Sequence, residues 1–151
     1  MITFSRSSLV GAEFPDENTV RFHGVQEDHI YDMEILFDVR ISDGEILSIK
    51  GWMKRYTTPI CPKAVDVLQT AVGMSLREDG WDSRIMREIG RKGCEHFAEI
   101  LIECGRCLDQ ACMSRDMYGP VMQDPAMDQY ELTGSWVKEH PVLKGTCMAR
   151  K

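Results

Sequence analysis

No apolar run in the chain approaches the roughly 20 residues that a membrane-spanning helix needs. The opening residues, Met1-Ile2-Thr3-Phe4-Ser5-Arg6, lack the apolar core of a secretory signal. Both absences place the expected location in the cytoplasm and argue against a membrane partner. Basic residues are outnumbered, 18 Lys and Arg against 24 Asp and Glu, for a net charge of −6. That balance opposes the counterion release that holds proteins on nucleic acid or anionic lipid, so neither is an expected partner. The glycines never fall in a G-x-G-x-x-G or G-x-x-x-x-G-K arrangement, which leaves no phosphate loop. No serine stands in a G-x-S-x-G turn, and no paired Cys-x-x-Cys knuckles form a zinc ribbon.

What is present is enough for one core: 151 residues, 43% of them hydrophobic. Ile35, Phe37, Val39 and Ile41 alternate with charged or polar neighbours, the pattern of a half-buried strand. Asp43-Gly44 then supplies a tight hairpin turn, and Ile46, Leu47, Ile49, Trp52 and Met53 resume the apolar pattern. Val20 and Phe22 add an earlier strand, so the spacing predicts a three-stranded antiparallel sheet. Pro59 and Pro62 end the sheet. From Pro62 to Val72 the apolar positions recur at helical spacing, a short helix follows over 82–89, and a longer one over about 93–113. The expectation is an α+β domain over 1–112 with about three helices on one face of the sheet. Beyond it, 113–151 is broken by Gly119-Pro120, Asp124-Pro125 and His140-Pro141 and is expected to be an extended arm. Its Tyr130, Leu132, Trp136, Val137, Val142 and Leu143 call for a partner surface, on its own core or on a second copy in a homo-oligomer.

Six cysteines in a chain without an export signal are expected as thiols. Cys61 and Cys94 both fall at predicted helix starts, where unsatisfied amides favour the thiolate that binds metals or attacks electrophiles. His96 stands two residues past Cys94, and at a helix cap the two can face one ligand. Asp32 lies nearby in strand order, and Asp32, Cys61, Cys94 and His96 form a mixed oxygen, sulfur and nitrogen set that suits zinc or iron. A non-catalytic ligand-binding or assembly module whose cysteines are packing residues is the competing reading, as is a Cys-His thiol enzyme in which Cys94 or Cys61 is the nucleophile and His96 the base. Cys104-Gly105-Arg106-Cys107 lies late in a helix, away from the N-terminus that would lower a thiol pKa, and reads as helix-face packing, with a second metal site using Cys112 as the alternative. His23 and His29 lie in or beside strand segments and read as solvent-facing or core-bonded imidazoles, and Cys147 has no informative neighbours.

Three segments carry a resemblance: Tyr31-Asp32-Met33, Pro59-Ile60-Cys61 and Gly93-Cys94-Glu95-His96-Phe97. Over roughly 20–112 the chain resembles a bacterial family of unknown function whose members show His-Asp-Met, a Pro-x-x-Cys-like loop and Gly-Cys-Thr-His-Leu in those places. That family is distantly similar to the NifU-type iron–sulfur scaffold proteins. The resemblance implies a scaffold-like carrier or sensor of zinc, iron or an iron–sulfur cluster, with protein clients. Asp32, Cys61, Cys94 and His96 would hold the metal. The scaffold's first cysteine falls near Tyr31 here, and its histidine precedes the last cysteine instead of following it.

Overall fold

A computed structural model describes residues 1–141, 144–146 and 148. Val142, Leu143 and Cys147, singled out above, lie outside the described residues. The chain divides into two compact units, Met1–Leu108 and Asp109–Lys151.

The first unit is built on four antiparallel strands in sequence order, β1 (Arg6–Asp16), β2 (Thr19–Asp28), β3 (Asp32–Arg40) and β4 (Ile46–Arg55). Val20, Phe22, Gly24, Gln26 and Asp28 of β2 are buried, as are Met33, Ile35, Phe37 and Val39 of β3. The register sets Val20 opposite Val39, Phe22 opposite Phe37 and Gly24 opposite Ile35. One face of the sheet is therefore a continuous apolar surface, and the Phe22 and Phe37 rings stack on it 5.3 Å apart. The hairpin expected at Asp43-Gly44 joins β3 to β4, with Gly44 at φ +74°, a conformation that favours glycine.

The sheet has four strands, which corrects the expectation of three. The missed strand is β1, the edge strand. It is exposed along most of its length, and its Arg-Ser-Ser-Leu-Val-Gly-Ala-Glu-Phe-Pro-Asp sequence shows no alternation because little of it is buried.

Among the described residues the helices number five, against about three expected. After Cys61 the backbone does not run as one amphipathic helix but as a 3-10 turn (Cys61–Lys63), α1 (Ala64–Val67) and a second 3-10 turn (Leu68–Ala71). Val65, Val67 and Thr70 are β-branched, which weakens a regular helix here. The next segment is α2 (Trp81–Ile85), continued by a wider π turn over Met86–Gly90. Then α3 (Glu95–Arg106) buries Phe97, Ile100, Leu101 and Cys104, the predicted stripe. It stops seven residues short of the expected end, at Cys107, where the backbone turns to φ −86° and ψ −1°.

Two glycines let these segments settle on the sheet. A side chain on Gly24 would meet Ile100 and lie 2.7 Å from Cys104 Sγ, and one on Gly51 would meet Leu68. Gly24→Val is expected to destabilise the protein by about 1–3 kcal/mol through overpacking, measured by urea unfolding, even though valine is the better strand residue. No loss of stability would show that α3 can lift away from β2 without penalty.

All of α4 (Leu108–Gln123) but its first residue, and α5 (Gln129–Glu139), belong to the second unit, so the extended arm expected over 113–151 is corrected to helix over 113–123 and 129–139. Pro120 sits inside α4 rather than ending it. Asp128 caps α5, its carboxylate accepting from the N–H groups of Tyr130 and Glu131 at 2.8 and 3.3 Å. Trp136 Nε1 donates to Asp116 at 3.1 Å, and its ring stacks on His140 with centroids 3.6 Å apart. Among the described residues no helix is long and apolar enough to cross a membrane.

Candidate functional site

The loop that leaves β4 turns at Thr58, whose carbonyl accepts from the Cys61 N–H at 3.0 Å. Pro62 follows at the start of the 3-10 turn and fixes its backbone. This brings the Thr58 hydroxyl to 3.2 Å and the Thr57 hydroxyl to 3.7 Å from Cys61 Sγ. A thiolate accepts from both hydroxyls. The Thr58 hydroxyl contributes most, then the Thr58 backbone, then the Thr57 hydroxyl, and together they bring the Cys61 thiol down from 9.0 to about 7. The helix start suspected from the sequence is a three-residue turn, so hydroxyl donors take the place of a helix dipole.

Cys94 is the residue before α3, extended at φ −143° and ψ 121°. Its Sγ lies 3.8 Å from Nδ1 of His96. The His96 ring in turn rests on Tyr31, centroids 4.3 Å apart. Tyr31 is held in the β2–β3 turn by Asp28, whose carboxylate accepts from the N–H groups of Ile30 and Tyr31, both at 2.7 Å, and from Arg6 Nε at 2.8 Å. Burial pushes the Asp28 carboxyl up, but the Tyr31 and Ile30 N–H groups and the Arg6 guanidinium outweigh it and bring it to about 2.

A pocket of about 420 Å³ joins the two cysteines. Ile60, Cys61, Lys63, Ala64 and Val67 line it from the loop and α1, and Lys92, Gly93 and Cys94 from the approach to α3. Lys63 and Lys92 bring positive charge, and no carboxylate is among the lining residues.

The structure thus puts Cys61 and Cys94 in one pocket and His96 against Cys94. Asp32 is not among the lining residues. It opens β3 opposite Glu27 of β2 and Arg55 of β4, on the sheet face that alternates with buried Met33. Among the described residues no group of three or more His, Cys, Asp and Glu is arranged to hold a metal ion. The Cys104 thiol, on the buried face of α3, is pushed up to about 12 by burial, and burial and Glu103 push that of Cys107 up too. Both are poor thiolates; Cys104 lies late in α3 as expected, whereas Cys107 lies past its end, directly before Leu108 opens the next helix. On the open face of the sheet His23 pairs with Glu34 at 3.5 Å, and His29 Nε2 lies 3.1 Å from the Thr3 carbonyl. Sequence reasoning missed Thr57, Thr58, Lys63 and Lys92. A Thr-Thr-Pro-x-Cys order is the signal that points to the first pair.

A family model described as "Protein of unknown function (DUF2889)" matches residues 7–110. The chain belongs to the DUF2889 family. The match spans all of the sheet but its first residue, together with the pocket residues and α3, so the pocket lies within the DUF2889 domain itself. No curated protein and no solved structure matches this DUF2889 chain. The likeness to NifU-type scaffolds finds no support in the family match, which names no function.

Proposed function

We propose that this DUF2889 protein acts through a nucleophilic thiol, Cys61, that attacks small electrophiles at a pocket holding a second thiol, Cys94. The observation that carries the reading is the setting of Cys61 Sγ, within reach of two threonine hydroxyls and open to a pocket of about 420 Å³, in the size range of small-molecule sites. A thiolate attacking a carbon centre forms an S–C bond as the leaving group departs with its electron pair. With the thiol at about 7, close to half of it is ionised at neutral pH, against about 1% at an ordinary 9.0. Lower basicity reduces intrinsic nucleophilicity, so the net gain at pH 7 is about fivefold.

Alkylation of the full chain with trace iodoacetamide, mapped to peptides, tests this. Cys61 is expected to react about fivefold faster at pH 7 than the same thiol in the unfolded chain, with half-maximal rate near pH 7. Thr58→Val should move that midpoint upward, toward the ordinary value. A Cys61 rate no greater than in the unfolded chain would sink the reading.

A second reading is metal capture by Cys61, Cys94 and His96, and one distance favours it. Sulfur and nitrogen ligands on one tetrahedral zinc are about 3.6 Å apart, and Cys94 Sγ and His96 Nδ1 are 3.8 Å apart. Asp32 would join only as a ligand drawn in from the start of β3. One zinc per chain that protects both Cys61 and Cys94 from iodoacetamide would favour this reading over the thiol nucleophile.

A further inference from the structure

We infer that the pocket selects an organic anion, a small carboxylate-bearing electrophile with an apolar body. The inference rests on the thiol reading above and concerns which electrophile reaches Cys61. In a chain of net charge −6 the lining carries two cations, Lys63 and Lys92, and no carboxylate. Lys92 pairs with Glu88, but Glu88 also receives Arg87, so two cations stand against that one carboxylate. Lys63 has no ion pair among the described residues, and its charge is offered to whatever enters. Ile60, Ala64 and Val67 supply the apolar part of the lining.

The charge balance matters because Cys61 as a thiolate repels an anion, as does the chain as a whole. Without the lysines an anionic electrophile would be disfavoured at this thiol relative to a neutral one. A unit charge at contact distances of several ångströms near a wet surface is worth a factor of about three or more in local concentration. The ligand class follows from that sign: an anionic head at the lysines, an apolar body along α1, and an electrophilic carbon at Cys61 Sγ.

Iodoacetate and iodoacetamide differ in charge and share the same reaction, in which the sulfur takes the methylene carbon and iodide leaves with the bonding pair. The test is the ratio of their rates at Cys61 in the full-length protein, divided by the same ratio for free cysteine at the same pH and salt. The ratio cancels any change in the thiol itself. It is expected to exceed one by about threefold or more at low salt, and to fall in Lys63→Gln, in Lys92→Gln and further in the double variant. Raising the salt to 1 M should also lower it. A ratio of one or below, with iodoacetamide still fast, overturns the anion selectivity and leaves the thiol reading standing. A raised ratio unchanged in the double variant also overturns it, because the attraction then comes from elsewhere. Slow iodoacetamide at Cys61 removes the thiol reading and this inference together.

Discussion

Phe22→Ala is expected to destabilise the protein by about 3–5 kcal/mol in urea unfolding, the range for removing a buried aromatic ring. Phe22 has no exposed surface, and its ring stacks on Phe37 with centroids 5.3 Å apart. The two phenylalanines are direct cross-strand partners on the covered face of the sheet. On the same face, each of Gly24 and Gly51 leaves no room beside the side chain packed on it, Ile100 at the first and Leu68 at the second. The structure therefore has little freedom to collapse into the space the ring leaves, which puts the cost in the upper part of the range. Phe22→Leu keeps most of the volume and should lose roughly 1 kcal/mol. Equal losses for the two variants, or a loss below about 1 kcal/mol for alanine, would mean that the ring does not anchor β2 to β3. Because α3 rests on the same surface and presents Cys94 and His96 at its start, Phe22→Ala should also slow or scatter thiol labelling under conditions where it remains folded.

The parts of this architecture that were legible in the sequence share one property: burial on one side only. β2, β3 and β4 alternate because one face meets the core, and α3 shows its stripe for the same reason. β1 was not legible because both of its faces are largely exposed, so nothing selects an apolar residue at every second position. The second unit was misread from its prolines and glycines. Pro120 is accommodated inside α4, and the Asp128-x-x-Glu131 order that opens α5 is a helix-start signal that outweighs the turn-forming residues before it. For the site, residue type was informative and sequence distance was not. Cys61 and Cys94 share a pocket because the sheet and α3 bring the β4 exit beside the α3 entrance, a relation set by tertiary packing. Asp32, adjacent to Tyr31 in sequence, lies on the opposite side of the strand from Met33, because successive strand residues face opposite ways. Lys63 and Lys92 carry no motif at all, and their meaning comes only from the pocket they line.

Asp28→Ala is expected to cost about 2–3 kcal/mol, because it leaves the N–H groups of Ile30 and Tyr31 without their acceptor and Arg6 without its carboxylate. The Arg6 side chain is 32% exposed and recovers hydration, so the cost stays below that of a fully buried broken ion pair. The charge adds a pH dependence whose sign follows from the lowered pKa. Asp28 titrates near 2 in the folded chain and near 3.8 when unfolded, so the folded state favours the ionised form. Its contribution is complete above pH 3.8 and is lost as the pH falls through about 2. Asp28→Asn, which keeps the shape and removes the charge, should therefore differ from the parent protein by a constant amount at pH 5–6. The gap should close progressively below pH 4. A gap of the same size at pH 3 and pH 6 would locate the loss in geometry rather than charge. The consequence reaches the thiol site, since the same turn sets Tyr31 against His96 and His96 lies beside Cys94. Acidification that releases Asp28 should loosen that tilted ring contact before the core unfolds, and the His96 ring protons, followed by NMR between pH 4 and 2, should shift ahead of the methyl signals of Ile35 and Leu101.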